Sequence, residues 1–173
     1  MHPSGEGNIH MSKESVGSVK TILLVCTGNL CRSPMAVGLL RDKLAREGLE
    51  DEIRVLSAGT WAVEGAPASL YAVQVMARRG IDIRAHRARP LTEELVDQAD
   101  LILVMERNHA EAIAQAFPAY ASKVHLLSEM SGQSFDVPDP YGGPLWEYEQ
   151  CADLLTELIE QGYPRIIRQV LKG

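Results

Sequence analysis

The run Thr21-Ile22-Leu23-Leu24-Val25 is β-rich and almost wholly apolar, and it delivers the chain straight into Cys26-Thr27-Gly28-Asn29-Leu30-Cys31-Arg32-Ser33-Pro34. A strand of this kind suits a sheet covered on both faces. Ser33 is a good N-cap and Pro34 a good first helical residue, so a helix is expected to start there with Arg32 at its mouth. Between strand and helix, Gly28 and Asn29 are the residue types that tolerate left-handed backbone. A tight loop needs such conformations to turn several N–H groups toward one point.

The loop carries chemistry as well as geometry. A thiol attacks as its thiolate, and a helix N-terminus with inward N–H groups favours negative charge on Cys26. The same donors would hold a phosphate oxyanion. Arg32, six positions after Cys26, adds a planar fork that can grip two phosphoryl oxygens, which a lysine could meet only as a point charge. Ser33 has a second use, as a hydroxyl donor to the thiolate. A plain strand-to-helix turn with two buried cysteines would explain the thiols, but not the glycine, the asparagine or the arginine.

A second candidate lies far along the chain, in Asp136-Val137-Pro138-Asp139-Pro140-Tyr141-Gly142-Gly143. Expelling an oxygen from phosphorus calls for a proton donor near the leaving atom, and a carboxyl group can supply it. Asp139 is the better placed, because Pro140 pushes it into an extended conformation. Asp136 is the next choice. Tyr141 could stack on an aromatic substrate, and the glycines allow close approach. Taken alone, this stretch reads as a surface turn.

With both motifs in hand, the chain resembles the low-molecular-weight protein-tyrosine phosphatases. The resemblance rests on C-T-G-N-L-C-R-S-P at Cys26 to Pro34 and on Asp139-Pro140-Tyr141, and it extends in element order from Lys20 to Leu171. It implies that Cys26 is the nucleophile, that Arg32 binds the phosphoryl group and that Asp139 is the general acid and later base. It implies a phosphate-binding loop of Thr27, Gly28, Asn29, Leu30, Cys31 and Ser33, with Ser33 stabilising the thiolate and Asn29 the strained residue. Ser57 and His86 stand where the family has residues that brace this loop. The implied reaction hydrolyses phosphotyrosine on protein substrates through cysteinyl phosphate, releases inorganic phosphate and needs no metal or organic cofactor. Apart from the resemblance, Cys31 follows Cys26 by five positions in a loop that curls back on itself, and it reads either as a small buried residue under the loop or as a thiol that traps an oxidised Cys26 as a disulfide, making the enzyme redox-sensitive.

The family also contains protein-arginine phosphatases and arsenate reductases. The former resemble this chain in their C-T-G-N opening but carry Thr where Leu30 stands, and a leucine favours an aryl phosphate. Arsenate reductases of the three-cysteine type use a relay pair near mid-chain, and none lies between Cys31 and Cys151.

Composition sets the outer bounds. At 173 residues and 46% hydrophobic content the chain is one ordinary domain. Seventeen basic residues against 23 acidic give −6, with no Lys/Arg run beyond two, which speaks against nucleic acid as a partner. Three cysteines, no apolar segment of membrane length and no signal-peptide pattern read as reduced thiols in the cytosol. No pair of ligands stands at metal spacing beside Cys26 and Cys31.

Residues 1–19 show no sustained period and read as a disordered tail ahead of a catalytic domain spanning 20–173. Strands are expected near Thr21 to Val25, Ile53 to Ser57, Leu101 to Met105 and Val124 to Leu127, making a four-stranded parallel sheet flanked by helices. Helices are expected near Pro34 to Glu47, Ala68 to Arg79, Thr92 to Gln98, Asn108 to Gln115 and Leu145 to Gln161. The last should stop at Gly162, with another restarting at Tyr163-Pro164. In such a sheet, ligands bind beyond the carboxyl ends of the strands, where Ser57 would join the Cys26 loop. Trp61 reads either as a core or lid aromatic or as a cleft wall opposite Tyr141. His109 and His125 read as surface or packing residues. Arg78, Arg79, Arg84, Arg87 and Arg89 read as a solvated basic face, or as a dock for an acidic phosphopeptide.

Overall fold

The structure, a computed structural model, describes residues 18–172. The expected tail therefore lies outside the described residues, apart from its last two positions. Four parallel strands form one sheet in the order β2-β1-β3-β4, with β1 at Lys20–Cys26, β2 at Ile53–Gly59, β3 at Leu101–Val104 and β4 at Val124–Leu126. Helices α1 (Arg32–Arg46), α2 (Leu70–Arg78), α3 (Glu93–Gln98), α4 (Arg107–Ala116), α5 (Leu127–Met130) and α6 (Leu145–Lys172) complete it, with a 3₁₀ turn at Pro118–Lys123.

The pleat of β1 explains why the sheet is covered twice. Ile22, Leu24 and Cys26 point into a layer built with α1, α2 and α6, while Leu23 and Val25 point into a second with Val96 of α3 and Ile113 of α4. Both sets are buried, so a polar residue at any of these five positions would lie in a core. The parity matters for the site, since it places Cys26 at the carboxyl end of β1 on the α1 side.

Two helix boundaries depart from expectation. Helix α1 starts two residues early, at Arg32 with Cys31 as its N-cap, and no side chain caps it. Ser33 is unavailable as a cap because its hydroxyl is engaged within the loop. Helix α6 does not break at Gly162 but runs from Leu145 to Lys172 with Pro164 inside it. Gly162 is a packing notch: a Cβ there would lie 2.8 Å from Met130 Cβ and 3.1 Å from the Met130 carbonyl carbon. An interior proline costs roughly 3 kcal/mol. Burial of Ile166 and Val170, each worth roughly 1.5–3 kcal/mol, offsets it. Among the described residues no helix is long and apolar enough to cross a membrane.

Candidate active site

The Cys26 loop is shaped by ties to its outward carbonyls. Thr60 N–H donates to Cys26 O and Trp61 N–H to Thr27 O, each at 2.9 Å, and Ser69 N–H donates to Leu30 O at 2.9 Å. Gly59 permits this approach, because a Cβ there would lie 2.4 Å from Thr27 O. Asn29, with φ of 58°, is the one non-glycine residue with positive φ among the described residues. That conformation costs about 1–2 kcal/mol and is held by the residue's side-chain amide and its carbonyl oxygen. Asn29 Nδ2 donates to Ser33 Oγ at 2.7 Å and Ser57 Oγ at 2.9 Å, and Arg89 N–H donates to its Oδ1 at 3.0 Å. Its carbonyl lies 2.7 Å from His86 Nε2, which must be the protonated nitrogen because a carbonyl only accepts. Burial, then Arg89, Arg41 and Arg87, push the His86 pKa down, so this brace is a neutral ring. Ser57 and His86 are thus both hydrogen-bonded to Asn29 of the loop.

Cys26 is buried, with Sγ 3.0 Å from Ser33 Oγ. Since Ser33 already accepts from Asn29, its own hydrogen is left for the sulfur. Arg32 is 1% exposed, and its NH2 group lies 3.4 Å from Thr27 Oγ1 and 3.5 Å from Asp139 Oδ2. NH1 is taken by a Glu106 carboxylate and by Val137 O at 2.8 Å. Nε–H is buried without a partner among the described residues. Burial works against this charge, but the hydrogen bond to Glu106 and the negative fields of Asp139, Cys26 and Glu106 outweigh it, so its pKa is raised. The result is a fixed cation with one edge of its fork anchored and its Nε–H left unpartnered among the described residues. The uncapped first turn of α1 adds N–H donors beside it.

Glu106 and His109 were not among the sequence candidates, and His109, read as a surface or packing residue, is a buried one that also hydrogen-bonds to the Cys26 loop. It is 1% exposed and links both sides of the guanidinium. Glu106 N–H donates to His109 Nδ1 at 3.0 Å, so the ring proton sits on Nε2, which donates to Thr27 Oγ1 at 2.8 Å. Thr27 and Glu106 are the two groups that flank Arg32. A usable signal existed: Glu106 and His109 form a reciprocal cap on α4, directly after the carboxyl end of β3. His125 fits its expected role, half-buried with Nδ1 4.0 Å from Glu129.

Burial first, and then the Arg32 charge, push the His109 pKa from 6.5 down to about 4. The unfolded chain therefore takes up this proton first on acidification. The stabilisation is full above pH 6.5 and is lost as pH falls through about 4. We expect urea unfolding to show a decline of about 3 kcal/mol from this group across that interval. His109→Phe, which keeps the volume and removes both ring nitrogens, should lack that component. At neutral pH it should be less stable by about 2–4 kcal/mol, having left the Glu106 N–H and the Thr27 hydroxyl without their partner. Identical pH dependence in the two proteins would show that the imidazole is not buried neutral.

Asp139 is 44% exposed as a side chain and reaches the site through its approach to Arg32. Its Oδ1 accepts from Tyr141 N–H at 3.1 Å, which fixes the turn. Asp136, the other acid considered, accepts from Arg107 N–H at 2.9 Å at the start of α4. Trp61 is 85% and Tyr141 64% exposed, so neither is a core aromatic. Leu30 and Gly28 are half-buried on the loop. Cys31 is buried against Tyr148, its Sγ 3.5 Å from the phenol oxygen, and burial pushes its thiol up to about 11.

Comparison with known proteins agrees with this geometry. Residues 21–172 match the family model for low molecular weight phosphotyrosine protein phosphatase. A probable low molecular weight protein-tyrosine-phosphatase of Ralstonia nicotianae is 45% identical over 148 residues, covering 86% of this chain and 97% of the relative. A protein-arginine-phosphatase of Bacillus subtilis is 43% identical over 141 residues, covering 81% and 92%. Among solved structures, a low molecular weight protein tyrosine phosphatase from T. tengcongensis superposes with a TM-score of 0.80 at 42% identity, covering 84% of this chain and 99% of that one. A cysteine loop tied open after β1, a buried arginine clamped along NH1 and near full-length likeness lead to one conclusion: this chain belongs to the low molecular weight phosphotyrosine protein phosphatase family.

Proposed function

We propose that this protein hydrolyses phosphotyrosine on protein substrates through a cysteinyl-phosphate intermediate, acting in the cytoplasm. The observation that carries the reading is the buried Arg32, clamped along NH1, unpartnered at Nε among the described residues, and with NH2 within 3.4 Å of Thr27 of the Cys26 loop and 3.5 Å of Asp139. A dianionic monoester enters the loop and meets the guanidinium fork, the loop amides and the first turn of α1. The Cys26 thiolate attacks phosphorus in line, the bond from phosphorus to the leaving oxygen breaks, and Asp139 gives that oxygen its proton. Ser33 O–H supports the sulfur as charge returns to it. Asp139, now ionised, takes a proton from water as the water attacks phosphocysteine, and inorganic phosphate leaves with the thiolate restored. The positive charge the reaction needs is supplied by Arg32 and the loop, so the chemistry calls for no metal or organic cofactor.

Trp61 and Tyr141, exposed at positions adjoining the loop and Asp139, are the side chains suited to hold an aryl ring. Leu30 supports the same choice of substrate, because it is apolar where the resemblance places threonine in arginine phosphatases. The arginine-phosphatase reading is kept as the second one, on the strength of the B. subtilis relative. Arsenate reduction has no use for a leaving-group acid, and Asp139 beside Arg32 weighs against it.

The test compares p-nitrophenyl phosphate, a phosphotyrosine peptide, a phosphoarginine protein and arsenate in one assay. Hydrolysis of the first two with the highest kcat/KM supports the proposal; preference for phosphoarginine would replace it with the second reading. Leu30→Thr should raise the phosphoarginine-to-phosphotyrosine ratio of kcat/KM by roughly tenfold, the scale of one pocket contact. An unchanged ratio would show that Leu30 does not discriminate.

A further inference from the structure

The five arginines between Arg78 and Arg89 do not form one face. Arg78 and Arg79 pair with Glu149 and Asp153 of α6, and Arg84 pairs with Asp82. Arg87 and Arg89, with Arg41 of α1, line a cleft of about 710 Å³ whose lining also includes Ser57 and His86. Cys26, Arg32 and Asp139 do not line it.

The three guanidiniums donate only to backbone carbonyls among the described residues. Arg41 NH2 reaches Val55 O at 2.7 Å, Arg87 NH1 reaches His86 O at 2.7 Å and Arg84 O at 3.1 Å, and Arg89 Nε reaches Ser57 O at 3.1 Å. No described carboxylate lies within 4.0 Å of any of them as an ion pair. The carboxylates that share the wall are mostly engaged: Asp42 with Arg46, and Asp82 with Arg84, leaving Glu64. Burial first, and then the field of Arg89, lower the Arg41 pKa. In a chain of net charge −6, three cations around one cavity without counter-charges is an arrangement an anion completes.

We propose that this cleft is a second anion-binding site, distinct from the Cys26 loop, and that its ligand is a small molecule carrying two or more adjacent phosphoryl groups. Three guanidinium charges exceed the two negative charges of one phosphoryl dianion, so adjacent phosphoryl groups match them better, and the volume falls in the range of small-molecule sites, roughly 300–1,000 Å³. Two residues of the cleft also hold the loop: His86 donates to Asn29 O, and Arg89 N–H donates to Asn29 Oδ1. A polyanion drawn to Arg89 therefore meets the residue that fixes the strained asparagine. The site does not depend on which monoester the Cys26 loop hydrolyses.

The test is calorimetric titration of tripolyphosphate, and in parallel of adenosine triphosphate, into metal-free protein whose Cys26 loop is saturated with vanadate, at constant ionic strength. Saturable binding of at least one of the two is expected, and the tighter names inorganic or nucleotide phosphate as the source. Arg41→Ser and Arg87→Ser should each weaken it about tenfold, the scale of one charge-assisted hydrogen bond. Arg168→Ser, elsewhere on the surface, should not. Without polyanion, both cleft variants should keep p-nitrophenyl phosphate turnover within about twofold, because neither residue touches the loop. If Arg41→Ser fails to fold, Arg87→Ser decides the matter, since Arg87 donates only within its own loop. No saturable binding to the vanadate-loaded wild type, or equal affinity in wild type and Arg87→Ser, would overturn the proposal.

Discussion

Cys26→Ser lowers turnover of p-nitrophenyl phosphate by roughly 10⁴ or more while inorganic phosphate still binds. The two outcomes separate because they rest on different atoms. Attack needs the sulfur, whereas binding needs the Arg32 fork, the loop amides and the α1 N-terminus, all of which survive the change. Ser33 Oγ, 3.0 Å from Sγ, still finds a hydrogen-bonding oxygen at position 26, so the loop should keep its form. Arg32→Lys breaks the complementary half: it should leave thiol alkylation at Cys26 measurable but abolish tight phosphate binding. A lysine cannot satisfy Glu106, Val137 O and a phosphoryl group at once. Wild-type turnover by Cys26→Ser would end the covalent account.

Asp139→Asn should lower kcat by roughly 10² to 10⁴, the usual worth of a positioned acid. The loss should shrink as the leaving group becomes more acidic, because such an oxygen departs without help. Measuring kcat across a series of aryl phosphates gives the slope. Equal losses along the series would make Asp139 a structural residue of the Tyr141 turn rather than the proton donor, since its other recorded bond is to Tyr141 N–H.

What could be read from the chain alone follows the range of the forces involved. The Cys26 loop was legible because its requirements are local: a buried strand before it, residues fit for unusual backbone within it and a helix after it. Asn29 took the left-handed conformation the loop demanded. Glu106 and His109 were harder, since what makes them matter is the burial of Arg32, and no local pattern states that a cation 74 positions away will need a counter-charge. Gly162 and Pro164 misled for a related reason. Read locally they end a helix, but the close crossing at Met130 and the apolar stripe through Ile166 and Val170 keep α6 whole. The arginines of residues 78–89 looked alike in sequence, and the placement of α6 beside Arg78 and Arg79, with Asp82 beside Arg84, divided them into paired cations and the walls of a cleft.

The central claim is that phosphorus is transferred to Cys26. Mixing enzyme with excess p-nitrophenyl phosphate, quenching in acid within the first turnovers and mapping the peptides by mass spectrometry tests it directly. The account predicts a phosphoryl group on the peptide containing Cys26, located on that residue. It should be absent from Cys26→Ser and should accumulate in Asp139→Asn given a substrate with an acidic leaving group, where water activation becomes the slow step. Steady turnover with no phosphorylated Cys26 at any quench time would contradict it.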